Sequence, residues 1–358
     1  MDEVALVSAG TVVASGGALA SGGALASGGT PFDRAYVKLI RNVLFRGTMT
    51  PSRQRLEDGT PVETLSITAE QIRVPLPKLV WNTHDDGTLR SMSLVGMPIL
   101  TVKHIATGVV VEELAAFLRG STNAYDFNAN GCRIWNSDAE KFDARQARAG
   151  ERHIPGDLGP IYGFAWRRHP RVDQIRHSCY LLASDPYSRR NLVSAWDVER
   201  LDEMALPPCH FAFQFKCRNL FKGAVDELAV DCIVYMRSTD VGLGLPFNVV
   251  QYSLLTSLCV AEAQRLSDSD WTKIGGCLRN YQLGELVVVM GDCHVYSSHI
   301  AELKMLTVPE GPKHEPFEIE LPAALASVDG FAFADREARK GLFTAAPRAP
   351  RIALSLHT

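Results

Sequence analysis

The residues best suited to chemistry stand near the middle of the chain. Pro207-Pro208-Cys209-His210 puts a cysteine directly after two prolines. Proline fixes its own φ and drives the residue before it out of the helical region, so the backbone aims the sulfur. Just upstream is Ser188-Arg189-Arg190, and downstream Met236-Arg237-Ser238-Thr239-Asp240. Fixed positive charge beside a thiol lowers its pKa and favours the nucleophilic thiolate. Arginine also presents the planar, permanently charged fork that suits a phosphate. The chemistry suggested is nucleophilic attack by a thiolate. The Cys-His pair alone is weak support, because most cysteines are small buried hydrophobes.

Three more stretches flank the cysteine: Gly156-Asp-Leu-Gly-Pro-Ile-Tyr162-Gly-Phe-Ala-Trp166, Asp240-Val-Gly-Leu-Gly-Leu-Pro-Phe-Asn248 and Gly291-Asp-Cys-His294-Val-Tyr296. Together, and in this order, the set resembles the folate-dependent, cysteine-nucleophile thymidylate synthases. The resemblance runs from about residue 30 to the C-terminus and is strongest over 156–304. It implies an α+β, thymidylate synthase-like fold with a mixed β-sheet packed by helices, and a homodimer joined sheet to sheet. It also implies reductive methylation of 2'-deoxyuridine 5'-monophosphate (dUMP) to dTMP. The co-substrate would be 5,10-methylenetetrahydrofolate, giving dihydrofolate.

The same resemblance assigns roles to residues. Cys209 would attack pyrimidine C6, making an enolate whose C5 can take a one-carbon unit; nucleophilic catalysis divides a hard step this way. Glu113 and Tyr162 would transfer protons, Glu113 through ordered water. Arg237 and Ser238 would hold the phosphate from the same subunit, and Arg189 and Arg190 from across the dimer interface. Gln214 would lie beside the nucleotide, with His294 and Tyr296 on the deoxyribose hydroxyl. Asp240 would bind the pterin ring. Trp135, in Ile134-Trp135-Asn136, would pack on the folate; a core tryptophan is the alternative. Asn248 would read the base, since an amide offers one donor and one acceptor to uracil N3 and O4. An amide can flip to suit cytosine, so the preference for uracil rests on the family's use of aspartate in its cytosine enzymes. A helix-capping asparagine is the alternative.

The chain departs from the family's pattern in places. Asp58-Gly59-Thr60 replaces an Asp-Arg-Thr-Gly loop, leaving Arg53 or Arg55 to supply the closing charge. Ala115 and Ala116 replace bulkier residues, Asn136 an aspartate and Met236 a glutamine. The C-terminal Arg351-Ile-Ala-Leu-Ser-Leu-His-Thr358 keeps an apolar beat at Ile352, Leu354 and Leu356. It reads as a lid that places His357 and Thr358 by the folate, excludes water and favours hydride transfer. A leaky lid would instead make a dUMP hydroxymethylase. The departures also motivate a third reading, a weakened relative acting as an RNA- or protein-binding module.

Composition bounds the rest. The 358 residues are 46% hydrophobic with a formal net charge of -3, so no global polyanion-binding surface is expected and RNA binding is not indicated. Eight cysteines, none in a CxxC pair, argue against disulfides and zinc and for a reducing, cytoplasmic compartment. No metal, flavin or nicotinamide site is visible. No run of eighteen apolar residues suggests a membrane span, and no signal peptide opens the chain.

The elements that must position these residues can be sketched. Residues 1–29 repeat Ala-Ser-Gly-Gly and are expected to form a flexible tail. Residues 30–358 are expected to form a single catalytic domain, with insertions near 80–93, 137–155 and 267–282. Helical spacing predicts a helix over 32–45 and a buried one over 109–120; on the latter, the resemblance implies that Glu113 lines the site, with Glu112 its solvated neighbour. A polar loop is expected over 51–61, a turn within 81–93 and irregular surface chain over 137–155. Further predictions are a helix over 172–182, strands over 64–76, 191–196, 211–217, 228–236 and 285–290, and a long apolar helix over 246–265. A surface loop is expected over 267–282, and short strands and turns in the last third.

Overall fold

The computed structural model describes residues 29–55, 59–150, 154–221, 225–269, 278–307, 316–344, 346, 349–352 and 354. Helix α1 (Pro31–Arg46) opens the described chain. Strands β1 (Thr48–Arg55), β2 (Pro61–Pro75), β3 (Lys78–Thr83) and β4 (Leu89–Val95) follow. Next come helices α2 (Thr107–Arg119), α3 (Ala124–Asn128), α4 (Asn136–Ala149) and α5 (Gln174–Ser184). Strands β5 (Leu192–Ser194), β6 (His210–Phe221) and β7 (Val225–Asp240) lead to α6 (Gly244–Ser269) and β8 (Leu278–Tyr296). The chain then runs through α7 (Ile300–Met305), β9 (Glu318–Pro322), α8 (Val328–Phe333) and α9 (Arg336–Lys340).

A six-stranded sheet of order β1-β2-β8-β7-β6-β5 organises the molecule. Strands β7 and β8 are parallel and joined through α6; the other neighbours are antiparallel. This is the expected α+β architecture, a mixed sheet packed by helices. Its register sets the site: Asp240 pairs with His294 and Ser238 with Asp292. Helix α6 is long and apolar enough to span a membrane, yet 83% of its most apolar stretch is buried within the protein. It is the core helix, packed on α5 and β8. A second sheet, β3-β4-β9, flanks the first. One contiguous core runs from Phe32 to Phe343.

Helix α1 starts where its sequence says it should. The Thr30 hydroxyl accepts from the Asp33 N–H, and the Asp33 carboxylate accepts from the Thr30 N–H (2.8 Å), a capping box. Asp33 also accepts from the Thr101 N–H (2.8 Å). On the buried face, the Tyr36 hydroxyl donates to the Val241 carbonyl (2.9 Å), which pins the turn after Asp240.

Several expectations need correction. Residues 51–55 of the expected polar loop are the second half of β1, so Arg53 and Arg55 lie on a strand, and residues 56–58 lie outside the described residues. Strand β1 is an edge strand with almost every residue exposed, so it carries no apolar alternation to read. Residues 81–93 are mostly the β3–β4 hairpin, with its turn closed by the His84 N–H on the Thr88 carbonyl (2.8 Å). The charged stretch over 137–155 is helical through Ala149; only Ala139 and Phe142 are buried, an anchor too thin to stand out by periodicity. Of the loop expected over 267–282, the start is helix through Ser269 and the end is strand from Leu278, while residues 270–277 lie outside the described residues. In the last third, β9 is one strand among short helices. Glu112, expected in solvent, is buried against Arg339, which arrives from 227 positions away.

Candidate active site

Cys209 stands at the mouth of β6, half-buried and tied on both sides. Its N–H donates to the Tyr162 hydroxyl (2.8 Å), and its carbonyl accepts from the Arg237 N–H (2.9 Å). The two prolines before it have no N–H to give, but their carbonyls are used. Arg237 donates from Nη2 to Pro207 (2.7 Å) and from Nε to Pro208 (2.9 Å). The same Nη2 lies 3.7 Å from the Cys209 sulfur, and the guanidinium sits over the Trp196 ring, 5.8 Å from its centre. Thiol and guanidinium are therefore fixed as one unit.

The net electrostatics differ from the expectation that arginine lowers the thiol pKa. Burial pushes the Cys209 thiol up; Arg237 pulls it back only in part, and Asp138 and Asp240 add to the rise. The sulfur is therefore a thiol at neutral pH. His210 is not its base. The imidazole stacks on Tyr162 (4.0 Å between centres, 9° between planes), and its Nδ1 is 2.7 Å from the Tyr252 hydroxyl. Burial pushes its pKa down to about 3, so the ring is neutral. The Tyr162 hydroxyl is itself raised well above its ordinary value, chiefly by burial.

Glu113 lies on α2 beneath this group. Its Oε1 accepts from Trp135 Nε1 (2.9 Å) and its Oε2 from Gln251 Nε2 (3.0 Å). Burial lifts its pKa to about 7, with the two hydrogen bonds pulling the other way. A carboxyl at that value can give or take a proton at neutral pH. Trp135 is buried edge-on against Phe117 and Tyr162, with its N–H spent on Glu113.

The ends of β7 and β8 and the start of α6 bring the next set together. Asp240 Oδ1 accepts from the Gly242 N–H (2.8 Å). A Cβ on Gly244 would lie 3.9 Å from both Asn248 Oδ1 and Asp240 Cβ, an ordinary contact distance, so both residues border this glycine. His294, buried, meets Tyr296 edge-on (5.3 Å) and lies 3.5 Å from Asp292. Contacts from His294 and Ser66 hold the Asp292 carboxyl below the usual range against the opposing effect of burial. Ser238, half-buried, pairs with Asp292 along the ladder. Gln214 accepts at Oε1 from the Tyr235 hydroxyl (3.1 Å).

Other expected residues stand apart. Arg189 and Arg190 are exposed in the turn before β5, the sheet's edge, and neither guanidinium has a partner among the described residues. Arg55 donates to the Gly59 carbonyl (2.9 Å), while Arg53 has no partner among the described residues. His357 and Thr358 lie outside the described residues. The C-terminal stretch does return to the site: the His104 N–H donates to the Pro350 carbonyl (2.8 Å). Leu354 Cδ1 would be 3.4 Å from a Cβ on Gly242.

Three neighbours escaped the sequence reading. Gln251 follows Asn248 by three residues, one helical turn along α6, and Asp138 stands likewise after Trp135; that spacing was the available sign. Lys103 is buried, which lowers its pKa to about 8, with Asp240 acting in opposition.

Comparison with known proteins agrees with this geometry. The thymidylate synthase family model matches residues 34–339. "Thymidylate synthase 1/2" of Encephalitozoon cuniculi (strain GB-M1) is 35% identical over 311 residues, covering 79% of this chain and 89% of the relative. "Thymidylate synthase" of equine herpesvirus 2 (strain 86/87) is 33% identical over 319 residues, covering 86% and 93%. With a tethered thiol, a neutral-pH carboxyl and matches spanning most of its length, the chain belongs to the thymidylate synthase family, the methyltransferases that convert dUMP to dTMP with methylenetetrahydrofolate.

Proposed function

We propose that this chain methylates dUMP with Cys209 as its nucleophile, in a homodimer that shares arginines between sites. The observation that carries the reading is the Pro207-Pro208-Cys209 unit, clamped by Arg237 and Tyr162 above a carboxyl with a pKa of about 7. The sulfur adds to C6 of the pyrimidine; the S–C bond forms as the C5–C6 double bond gives its electron pair to the C4 carbonyl oxygen. The thiol proton leaves first, to solvent water, a loss that Arg237 favours. Methylenetetrahydrofolate supplies the one-carbon unit and the hydride. Glu113 moves protons toward O4, Tyr162 holds the Cys209 backbone, and Asn248 reads the base. Arg237 and Ser238 receive the phosphate, joined by the partner's copies of the turn that carries Arg189 and Arg190. Gln214, His294 and Tyr296 border the nucleotide.

The residues present fit a reduced folate. Asp240 and Asn248, both bordering Gly244, offer acceptor and donor atoms for the polar edge of a pterin, with Leu354 near Gly242 as an apolar wall. Trp135 contributes by orienting Glu113, and His357 and Thr358 extend the closing segment. The return of Leu354 to Gly242 supports exclusion of water, and so a methyl rather than a hydroxymethyl product. Residues 30–358 act as one catalytic domain. Cys209→Ser is the test: turnover is expected to fall by at least about a thousandfold, while dUMP still binds by calorimetry. Near-normal turnover would remove Cys209 from the reaction.

A further inference from the structure

Glu113 is gripped on both oxygens, and one of the grips is costly. Gln251, 1% exposed, donates from Nε2 to Glu113 Oε2 (3.0 Å). The other end of the same amide, Oε1, is buried without a hydrogen-bond partner among the described residues. An unpaired buried carbonyl oxygen is destabilising, and a methionine would fill the same space without that cost. Packing alone therefore does not account for an amide here.

An amide carries a donor and an acceptor on one stem, exchanged by a half-turn of its last torsion. An ionised carboxylate needs donors; a protonated carboxyl also presents an O–H that needs an acceptor. Trp135 donates only, so it serves Oε1 in either state and cannot receive that proton. Gln251 can. We infer that Gln251 is a positioning residue that keeps Glu113 in one place through its proton cycle, donating to the carboxylate and, turned over, accepting from the carboxyl. This rests on the reading of Glu113 as a proton-transfer group.

The surroundings leave this task to the amide. Cys132, before α4, faces Glu113 and is pushed up to about 12 by burial. Tyr162 and Tyr252, from the segment before residue 164 and from α6, also face it and are raised well above the ordinary tyrosine value. All three are neutral at pH 7. On its own helix, Glu112 is spent on Arg339. No unpaired charge among these neighbours sets the carboxyl's state.

The test compares wild type, Gln251→Met and Glu113→Gln in the dUMP methylation assay across pH, beside thermal unfolding. Of the two bonds, the one to the charged form is charge-assisted and the stronger, so losing both moves the acid limb of kcat up by about one pH unit. Turnover of Gln251→Met at neutral pH is expected to drop about tenfold, with KM for dUMP nearly unchanged and a Tm close to wild type, because relief of the unpaired Gln251 Oε1 offsets the stranding of Glu113 Oε2. An unmoved acid limb overturns the inference, as does a lowered Tm with unchanged turnover, which marks a merely structural amide. Gln251→Glu is the second variant, for use if the methionine fails to fold. Two carboxyls sharing a proton split the single limb in two, and an unsplit limb overturns the inference. Glu113→Gln separates the two readings. If it keeps wild-type turnover, Glu113 is not the proton-transfer group and the inference falls with it. If it is inactive while Gln251→Met is unaltered, only the role of Gln251 falls.

Discussion

The Cys209 sulfur is under two opposed influences, and burial is the larger: the thiol is raised although Arg237 Nη2 lies 3.7 Å away. Arg237 is thus a counterweight against desolvation. Arg237→Ala should raise the thiol further and slow its alkylation by iodoacetamide at neutral pH severalfold. Arg237→Lys keeps the charge but cannot reach both proline carbonyls at once, so its rate should fall between the two. An alkylation rate that is the same in all three proteins would mean that Arg237 serves only the phosphate. Much of this group was legible in the sequence: two prolines aim a cysteine, and arginines stand near it. The sign of the net pKa shift was not, because burial is a property of the assembled fold. The neutrality of His210, which follows from its enclosure by Tyr162 and Tyr252, was hidden for the same reason.

Helix α2 illustrates how elements position the site. It presents Glu113 to Trp135 and Gln251 on one side and Glu112 to Arg339 on the other. Both oxygens of Glu112 are engaged by Arg339, at 3.2 and 2.7 Å, in a buried fork. Removing one partner of a buried pair strands the other, at a cost of about 3–5 kcal/mol. Arg339→Met should therefore lower stability by about that amount in urea titration, and Glu112→Leu combined with Arg339→Met should recover most of it. A double variant as unstable as the single one would show that the pair acts through something other than its charge. Adjacent glutamates on a helix do not announce which is paired, since the partner comes from α9. Helices α1, α2 and α6 were legible because their apolar residues recur at helical spacing. Strand β1 and helix α4 were not, because one is an exposed edge and the other is held by two buried residues.

The whole molecule is a mixed sheet with its chemistry gathered where β7, β8 and the start of α6 meet. The order of motifs along the chain made that architecture and family readable; it could not reveal the hairpin at 81–93 or the short helices after β8, whose sequences carry little periodicity. One expectation belongs to the assembly. Arg189 and Arg190 lie exposed, with no guanidinium partner among the described residues, which fits the proposed role across a dimer interface. Mixing Cys209→Ser subunits with subunits carrying Arg189→Ala and Arg190→Ala, each nearly inactive alone, should restore about a quarter of wild-type activity after subunit exchange. A random mixture is half heterodimer, and each heterodimer keeps one intact site. Recovery no greater than the sum of the parents would mean that each chain keeps its own arginines.

The account as a whole is tested most directly by the mass of the nucleotide formed from dUMP and methylenetetrahydrofolate, measured for wild type and for Cys209→Ser. The expected result is dTMP from the wild type and unchanged dUMP from the variant. A hydroxymethyl nucleotide would contradict the closure assigned to the C-terminal segment. Unchanged dUMP from the wild type, or dTMP from the variant, would contradict Cys209-dependent methylation itself.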